Sequence, residues 1–346
     1  MARQVIMVMD INKCLGCQTC TLGCKNLWTK REGMDYMYWN NVETHPGKGY
    51  PKGWQGMGGG WKGEKHILGK LPSAEEYGIP WEFNYKEALY EGKGDRLMPT
   101  PEPTWGPNWD EDTGAGTFPN TYYFYLPRMC NHCSKPSCAP VCPRKAVYKR
   151  QEDGAVLVDE KRCVGYKYCI ESCPYKKIYF NSVSEIVQKC IYCYPRLEKG
   201  VVQACSAQCP GRMRYVGYLD DMESSAYKLL NVYKVALRLH PEFGTEPNVY
   251  YVPPLAPPKI TLDGEILKGD RIPIEYLAEL FGDDANQSKG DRIKRVKEVL
   301  ETLNREKAKK VAGDKSELMD ILIARREESR HGPFIVEPHT LAIDKS

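Results

Sequence analysis

The chain has 346 residues, which at about 150 residues per domain is enough for two domains and a sizeable buried core. Its 49 Lys and Arg against 45 Asp and Glu leave a net charge of +4, with no long run of one sign, which excludes a nucleic-acid binder resting on a basic stripe. The 15 cysteines are too sparse for a small disulfide scaffold, and their odd number excludes a closed set of disulfides.

No apolar run approaches the ~18 to 20 residues that a bilayer span needs. The chain begins Met1-Ala2-Arg3-Gln4, followed by five apolar residues and Asp10. That start carries neither a signal-peptide apolar region nor a twin-arginine signal, so taken alone it reads as cytoplasmic.

Residues 4–10 predict a short strand leading into the first of four cysteine sets. Set one is Cys14, Cys17, Cys20 and Cys24; set two is Cys130, Cys133, Cys138 and Cys142; set three is Cys163, Cys169 and Cys173; set four is Cys190, Cys193, Cys205 and Cys209. No cysteine lies outside a set, so the chain is an internal repeat of metal-ligand units. Residues 28–120 interrupt it with all seven tryptophans, Trp28, Trp39, Trp54, Trp61, Trp81, Trp105 and Trp109, among many Gly and Pro. They predict an irregular, aromatic-anchored insertion that either shields the cysteine sets or docks a large partner.

Residues 121–126 are β-prone. Residues 146–149 and 155–158 flank Asp153-Gly154 as a hairpin, and similar arms at 177–180 and 185–188 separate sets three and four. Each set is then expected on a loop running into a short helix, with strands between sets. After Tyr218 the cysteines stop. Pro253, Pro254, Pro257 and Pro258 predict an extended segment. Residues 292–310 carry Ile293, Val296, Val299, Leu300 and Leu303 at helical spacing, and Ser316 is the expected N-cap of a second helix with Leu318, Ile321 and Leu322. The predicted fold is α+β, with two ferredoxin-like βαβ modules, the insertion, and an extended and helical tail. The expected boundaries are 1–27 plus 174–218 for one module, 121–173 for the other, and 219–346 for the tail.

Set one follows C-x2-C-x2-C-x3-C, the run that holds iron-sulfur clusters in bacterial ferredoxins, three thiolates taking one cluster and the fourth another. Set two widens its middle spacing to x4, and Pro143, Pro174 and Pro210 follow the last cysteine of sets two, three and four. Structural zinc also uses C-x2-C pairs but pairs two such hooks, and a radical S-adenosylmethionine enzyme needs C-x3-C-x2-C, which is missing here. Set three departs from the template, with Tyr166 where the second ligand belongs. Ligand count then favours a 3Fe-4S cluster, held by Cys142, Cys163 and Cys169 with the Tyr166 ring at the vacant corner; the rival is a 4Fe-4S cluster completed by the Tyr166 phenolate or by water. Crossed ligation accounts for every thiol whether sets one and four pair and sets two and three pair, or one with two and three with four. His132, inside set two, reads as a hydrogen-bond donor behind the ligands or as a surface residue. Lys25, Lys167, Lys176, Lys177 and Arg144 sit beside ligands, either raising cluster potentials or simply solvated.

Five stretches carry a resemblance: Cys14-Leu-Gly-Cys-Gln-Thr-Cys-Thr-Leu-Gly-Cys-Lys-Asn-Leu-Trp28, Met34-Asp-Tyr-Met-Tyr-Trp-Asn-Asn-Val-Glu-Thr44, Pro107-Asn-Trp-Asp-Glu-Asp112, Leu126-Pro-Arg-Met-Cys-Asn-His-Cys133 and Cys173-Pro-Tyr-Lys-Lys177. Over residues 4–255 the chain resembles the iron-sulfur β subunits of the type II dimethyl sulfoxide reductase family. These serve nitrate, selenate, chlorate and perchlorate reductases and ethylbenzene and dimethyl sulfide dehydrogenases. The resemblance implies three 4Fe-4S clusters and one 3Fe-4S cluster. The first would be held by Cys14, Cys17, Cys20 and Cys209, the second by Cys24, Cys190, Cys193 and Cys205, and the third by Cys130, Cys133, Cys138 and Cys173. Cys142, Cys163 and Cys169 would hold the 3Fe cluster beside Tyr166, a position that is Trp in nitrate reductase.

The resemblance further implies a non-catalytic electron-transfer subunit that relays single electrons. Its partners would be a catalytic α subunit carrying a molybdenum bis-pterin cofactor, nearest the first cluster, and a haem b γ subunit, nearest the 3Fe cluster. It implies a periplasmic location by co-export with the α subunit, against the cytoplasmic reading of the N-terminus. The competing functions are a free-standing soluble polyferredoxin, which needs neither insertion nor tail, and a zinc-stabilised binding module, which would be colourless.

Overall fold

The computed structural model describes residues 3–78 and 114–323. Val5–Asp10 is wholly buried because its apolar run sits inside a five-stranded sheet. It pairs antiparallel with Arg214–Tyr218, Val5 opposite Tyr218 and Met9 opposite Arg214. On its other side it pairs parallel with Val249–Val252, Met7 opposite Val249. Leu237–Leu239 and Phe281–Gly282 complete the sheet. A strand buried on both faces reads as a continuous apolar run rather than an alternation, as this one does. The pairing brings the chain entering set one beside the chain leaving set four.

Both expected hairpins form, each within a residue or so of its predicted arms. Val147–Lys149 pairs with Val156–Val158, and Ile178–Asn181 with Ile186–Lys189. At the first turn Gly154 takes φ +72°, and Asp153 Oδ1 accepts the Ala155 N–H at 3.0 Å. A small apolar core of Val147, Val156, Ile170, Ile178 and Val187 encloses Cys138 and Cys169, apart from the larger core around the five-stranded sheet.

The insertion is more ordered than its Gly and Pro content predicts. Asn40–His45 is fully buried and pairs along its whole length with Phe124–Met129, the strand expected at 121–126. The reason is a buried carboxylate. Glu43 Oε1 accepts from Arg128 Nε at 2.7 Å, from Tyr50 N–H at 2.9 Å and from Asn41 Nδ2 at 3.0 Å. Trp54 Nε1 donates to Oε2 at 3.2 Å, and the Arg128 guanidinium stacks 3.7 Å above the Trp54 ring. Burial alone would raise the Glu43 carboxyl, but Arg128 and His45 hold it well below the ordinary carboxylate range. Trp81, Trp105 and Trp109 lie outside the described residues.

In the tail, Pro258–Ile260 and Ile266–Asp270 form a hairpin. The two expected helices are Lys289–Val311 and Glu317–Leu322. Ser288 and Asp291 make a capping box for the first, and Ser316 accepts from the Met319 N–H in the second. Lys13, beside set one, donates to the Leu322 carbonyl at 3.0 Å, which ties the tail to the first cysteine loop. Among the described residues no helix is long and apolar enough to cross a membrane.

Candidate iron-sulfur site

The cysteine loops repeat in conformation as well as in spacing. After Cys14, Gly16 takes φ +66° and Gln18 takes φ +55°; after Cys163, Gly165 takes φ +70° and Lys167 takes φ +67°. Gln18 and Lys167 are the N-caps of Thr19–Trp28 and Tyr168–Ser172, which carry Cys20 with Cys24 and Cys169. Tyr166 therefore occupies in the second loop the position that Cys17 holds in the first, and both are exposed. The glycines are needed at these turns. A Cβ on Gly16 would come within 2.5 Å of the Tyr125 ring, and one on Gly165 would meet the backbone oxygen of Glu185.

The helix Thr19–Trp28 packs on Ala204–Ala207, which brings set one to set four. Burial pushes the Cys14 thiol up to about 12, with Cys20 and Cys209 adding like charge. Burial raises Cys24 too, reinforced by Cys190, Cys205 and Cys193. Sets two and three meet in the same manner. Burial raises Cys133 to about 12 with Cys130 and Cys173 beside it, and raises Cys138 with Cys173, Cys130 and Cys133 around it. Cys169 is pushed up to about 12 by burial, then by Cys163 and Cys142.

Two open spaces are lined by these thiols. One of about 370 Å³ is bordered by Cys130, Cys133, Cys138 and Cys173. The other, about 310 Å³, is bordered by Cys142, Cys163, Cys169 and Tyr166. Among the described residues no three His, Cys, Asp or Glu side chains close on one point as around a single ion; these thiols stand around the spaces instead. Thiols this buried and this close to one another are costly as free thiolates, and iron removes the cost by taking the charge.

Links also run between the groups. Cys20 lies beside Cys24, Cys130 beside Cys190, and Cys173 beside Cys169, each adding to its neighbour's rise. The thiols thus form a series that begins at Cys14, passes Cys24 and Cys130, and ends at Cys163. Donors reach the sulfurs: Trp28 Nε1 to Cys193 Sγ at 3.1 Å, and the N–H groups of Ala146 and Val187 to the Sγ atoms of Cys142 and Cys163, both at 3.3 Å. Hydrogen bonds of this kind tune cluster potential.

His132 is not a surface residue. It is fully buried, its Nδ1 accepts the Val156 N–H at 3.0 Å, and its ring lies 4.5 Å from that of Tyr192, the corresponding residue of set four. Lys25, Lys176 and Lys177 are likewise not freely solvated. Lys25 Nζ donates to the Met34 and Asp35 carbonyls at 2.6 and 2.7 Å, Lys176 donates to the Glu171 carbonyl at 2.8 Å, and buried Lys177 donates to Asn41 Oδ1. Lys167 sits 3.9 Å above the Phe180 ring, and Arg144 is exposed. Two buried cations beside the thiols were not anticipated from sequence, Lys189 and Arg214. Lys189 directly precedes Cys190, which is a signal; Arg214 lies on a strand with no local cue.

Residues 121–219 match the model of the 4Fe-4S dicluster domain. The dimethylsulfide dehydrogenase β subunit of Rhodovulum sulfidophilum is 57% identical over 94% of this chain and 97% of its own. The respiratory nitrate reductase β subunit of Haloferax mediterranei is 55% identical, covering 92% of this chain and 90% of its own. For the selenate reductase β subunit of Thauera selenatis the figures are 53%, 95% and 99%. The chain belongs to this family of oxidoreductase β subunits. As a β subunit with iron-sulfur motifs it serves electron transfer, in agreement with the resemblance carried by its sequence motifs. The β-subunit family also sets aside the free-standing polyferredoxin.

Proposed function

We propose that this β subunit carries four clusters in series and relays single electrons along them. Cys14, Cys17, Cys20 and Cys209 would hold one 4Fe-4S cluster, Cys24, Cys190, Cys193 and Cys205 the second, and Cys130, Cys133, Cys138 and Cys173 the third. Cys142, Cys163 and Cys169 would hold a 3Fe-4S cluster beside Tyr166. The observation that carries this reading is the series of thiol groups, each placed near enough to the next for its cysteines to raise a neighbour's thiol by like charge. The clusters supply the redox chemistry when bound. The protein's own part is to fix their spacing, exclude water, and set potentials through donors to sulfur and through burial.

Two ferredoxin-like modules follow from the same assignment, residues 1–27 plus 174–218 around the first two clusters and residues 121–173 around the others. The small core around Cys138 and Cys169 draws on both ranges, since Ile178 and Val187 pack in it with Val147 and Val156; residues 28–120 would be the insertion and 219–346 the tail. Both ends of the series present exposed apolar side chains, Leu15 and Leu22 at the first loop, Val164, Tyr166 and Tyr168 at the last, which suits subunit contacts at each. The partner at the first end is a catalytic subunit with a molybdenum pterin cofactor, because the relatives are β subunits of reductases and dehydrogenases. A haem b subunit stands at the other, and the complex is exported to the periplasm with the catalytic subunit.

The test is purification of the native complex without oxygen, with metal analysis and mass spectrometry of what accompanies this chain. Iron, molybdenum and a large subunit in fixed ratio support the reading. The chain running alone with iron, or holding zinc in place of iron, overturns it.

A further inference from the structure

A buried charge needs a partner or it is strongly unfavourable. Among the described residues two buried cations have one of ordinary kind, Arg128 with Glu43 and Lys177 with Asn41 and Glu43 nearby, while Lys176 donates to the Ile170 and Glu171 carbonyls. Arg214 and Lys189 differ. Arg214 is 7% exposed, and one Nη reaches Cys20 Sγ at 3.5 Å and Asn40 Oδ1 at 2.8 Å. The other Nη meets the thioether sulfurs of Met7 and Met129 at 3.6 and 3.7 Å. Its charged neighbours are the thiols of Cys205, Cys20 and Cys209. Lys189 is 2% exposed, donates to the Val156 carbonyl and at 2.9 Å to that of Cys190, and has Cys130, Cys190 and Cys138 as its charged neighbours. Among the described residues neither pairs with a carboxylate.

Their positions are complementary. Arg214 donates to the Cys20 thiol, assigned to the first cluster, with Cys205 of the second nearby; Lys189 lines the space bordered by Cys130 and Cys138, assigned to the third, and has Cys190 of the second beside it. We propose that Arg214 and Lys189 are counter-ions built into the two junctions of the relay, each holding up the reduction potential of the clusters on either side of it. This rests on the ligand assignment proposed above. Adding an electron to a cluster makes it more negative, and a fixed positive charge in a dry setting favours that form. The second cluster lies between both cations and feels both. The cluster of Cys142, Cys163 and Cys169 touches neither. Each is a positioning residue, since it acts on the electron only through the cluster it faces.

The experiment is a redox titration of the purified native complex followed by paramagnetic resonance, in wild type, R214Q and K189Q, with the charge-keeping R214K and K189R as controls. Loss of Arg214 should disfavour reduction of the first and second clusters on the order of tenfold, about 59 mV for one electron. Loss of Lys189 should do the same to the second and third. The 3Fe cluster should not move in either variant, and R214K and K189R should titrate close to wild type. Unchanged midpoints in R214Q and K189Q with all clusters present would overturn the proposal. If a glutamine variant loses a cluster, the controls decide. Full clusters and near-wild-type midpoints in R214K and K189R support the counter-ion role, and the same loss there overturns it. A wild-type complex without four cluster signals fails the ligand assignment itself, which is a distinct result.

Discussion

The loops at residues 14–20 and 163–169 share one backbone course and differ at one cysteine position. Each has a positive-φ glycine two residues after its first cysteine and a left-handed N-cap before its helix, yet Cys17 in the first is Tyr166 in the second. Their surroundings differ as well. The first loop is held by the insertion, with Gln18 Nε2 donating to the Val42 carbonyl at 2.8 Å and the Tyr125 ring lying over Gly16. The second stands against its own hairpin at Glu185, with Tyr166 57% exposed. One loop geometry thus recurs with a thiol at its second ligand position in the first loop and a phenol there in the second.

The largest expected effect comes from removing that single difference. Tyr166→Cys restores the fourth thiolate, and the paramagnetic signal of an oxidised 3Fe-4S cluster should vanish from the oxidised complex as a 4Fe-4S signal appears on reduction. Persistence of the oxidised signal in Y166C would show that the loop, rather than the missing thiol, sets cluster type.

The next effect removes the support given to the first loop. Glu43→Gln leaves Arg128 buried without its carboxylate, a loss of about 3–5 kcal/mol, read as a lower unfolding temperature of the purified complex. The carboxyl is held below its ordinary value of 4.5. Its stabilisation is therefore complete above that pH and declines as pH falls further, since the unfolded state takes up the proton first. The wild type should lose stability progressively in acid, and E43Q should lack that part of the slope. An equal acid slope in both would place the sensitivity elsewhere.

The smallest effect compares the two glycines. Gly16→Ala and Gly165→Ala both force an L residue into the left-handed region, at about 1–2 kcal/mol. G165A should be worse in thermal unfolding and in iron content, because its methyl meets the Glu185 backbone while the Tyr125 ring facing Gly16 can turn aside. Equal losses would mean that the surroundings of the two loops do not matter.

Much of this was legible in the sequence because cysteine spacing encodes loop geometry directly. The hairpins at residues 147–158 and 178–189, the N-cap at Ser316 and the place of Tyr166 all follow from local pattern. The burial of Asn40–His45 did not, since its Asn, Glu, Thr and His side chains read as polar; the cause is Arg128, far off in sequence, supplying a partner to Glu43. Spacing also left the pairing of the sets open, because the meeting of set one with set four depends on Val5–Asp10 pairing with Arg214–Tyr218, a long-range contact. Arg214 was illegible for a related reason, and Lys189 was marked only by its place before Cys190. A cation facing sulfur in place of carboxylate is visible only once the chain is folded.

The central claim is a relay of four clusters held by the cysteines of this chain, and the most direct measurement is a stepwise reductive titration of the native complex followed by paramagnetic resonance. The account predicts one iron-sulfur signal in the fully oxidised complex, from the 3Fe-4S cluster, and three further clusters becoming paramagnetic one by one as electrons are added. An oxidised complex with no iron-sulfur signal, or fewer than three clusters appearing on reduction, would contradict it.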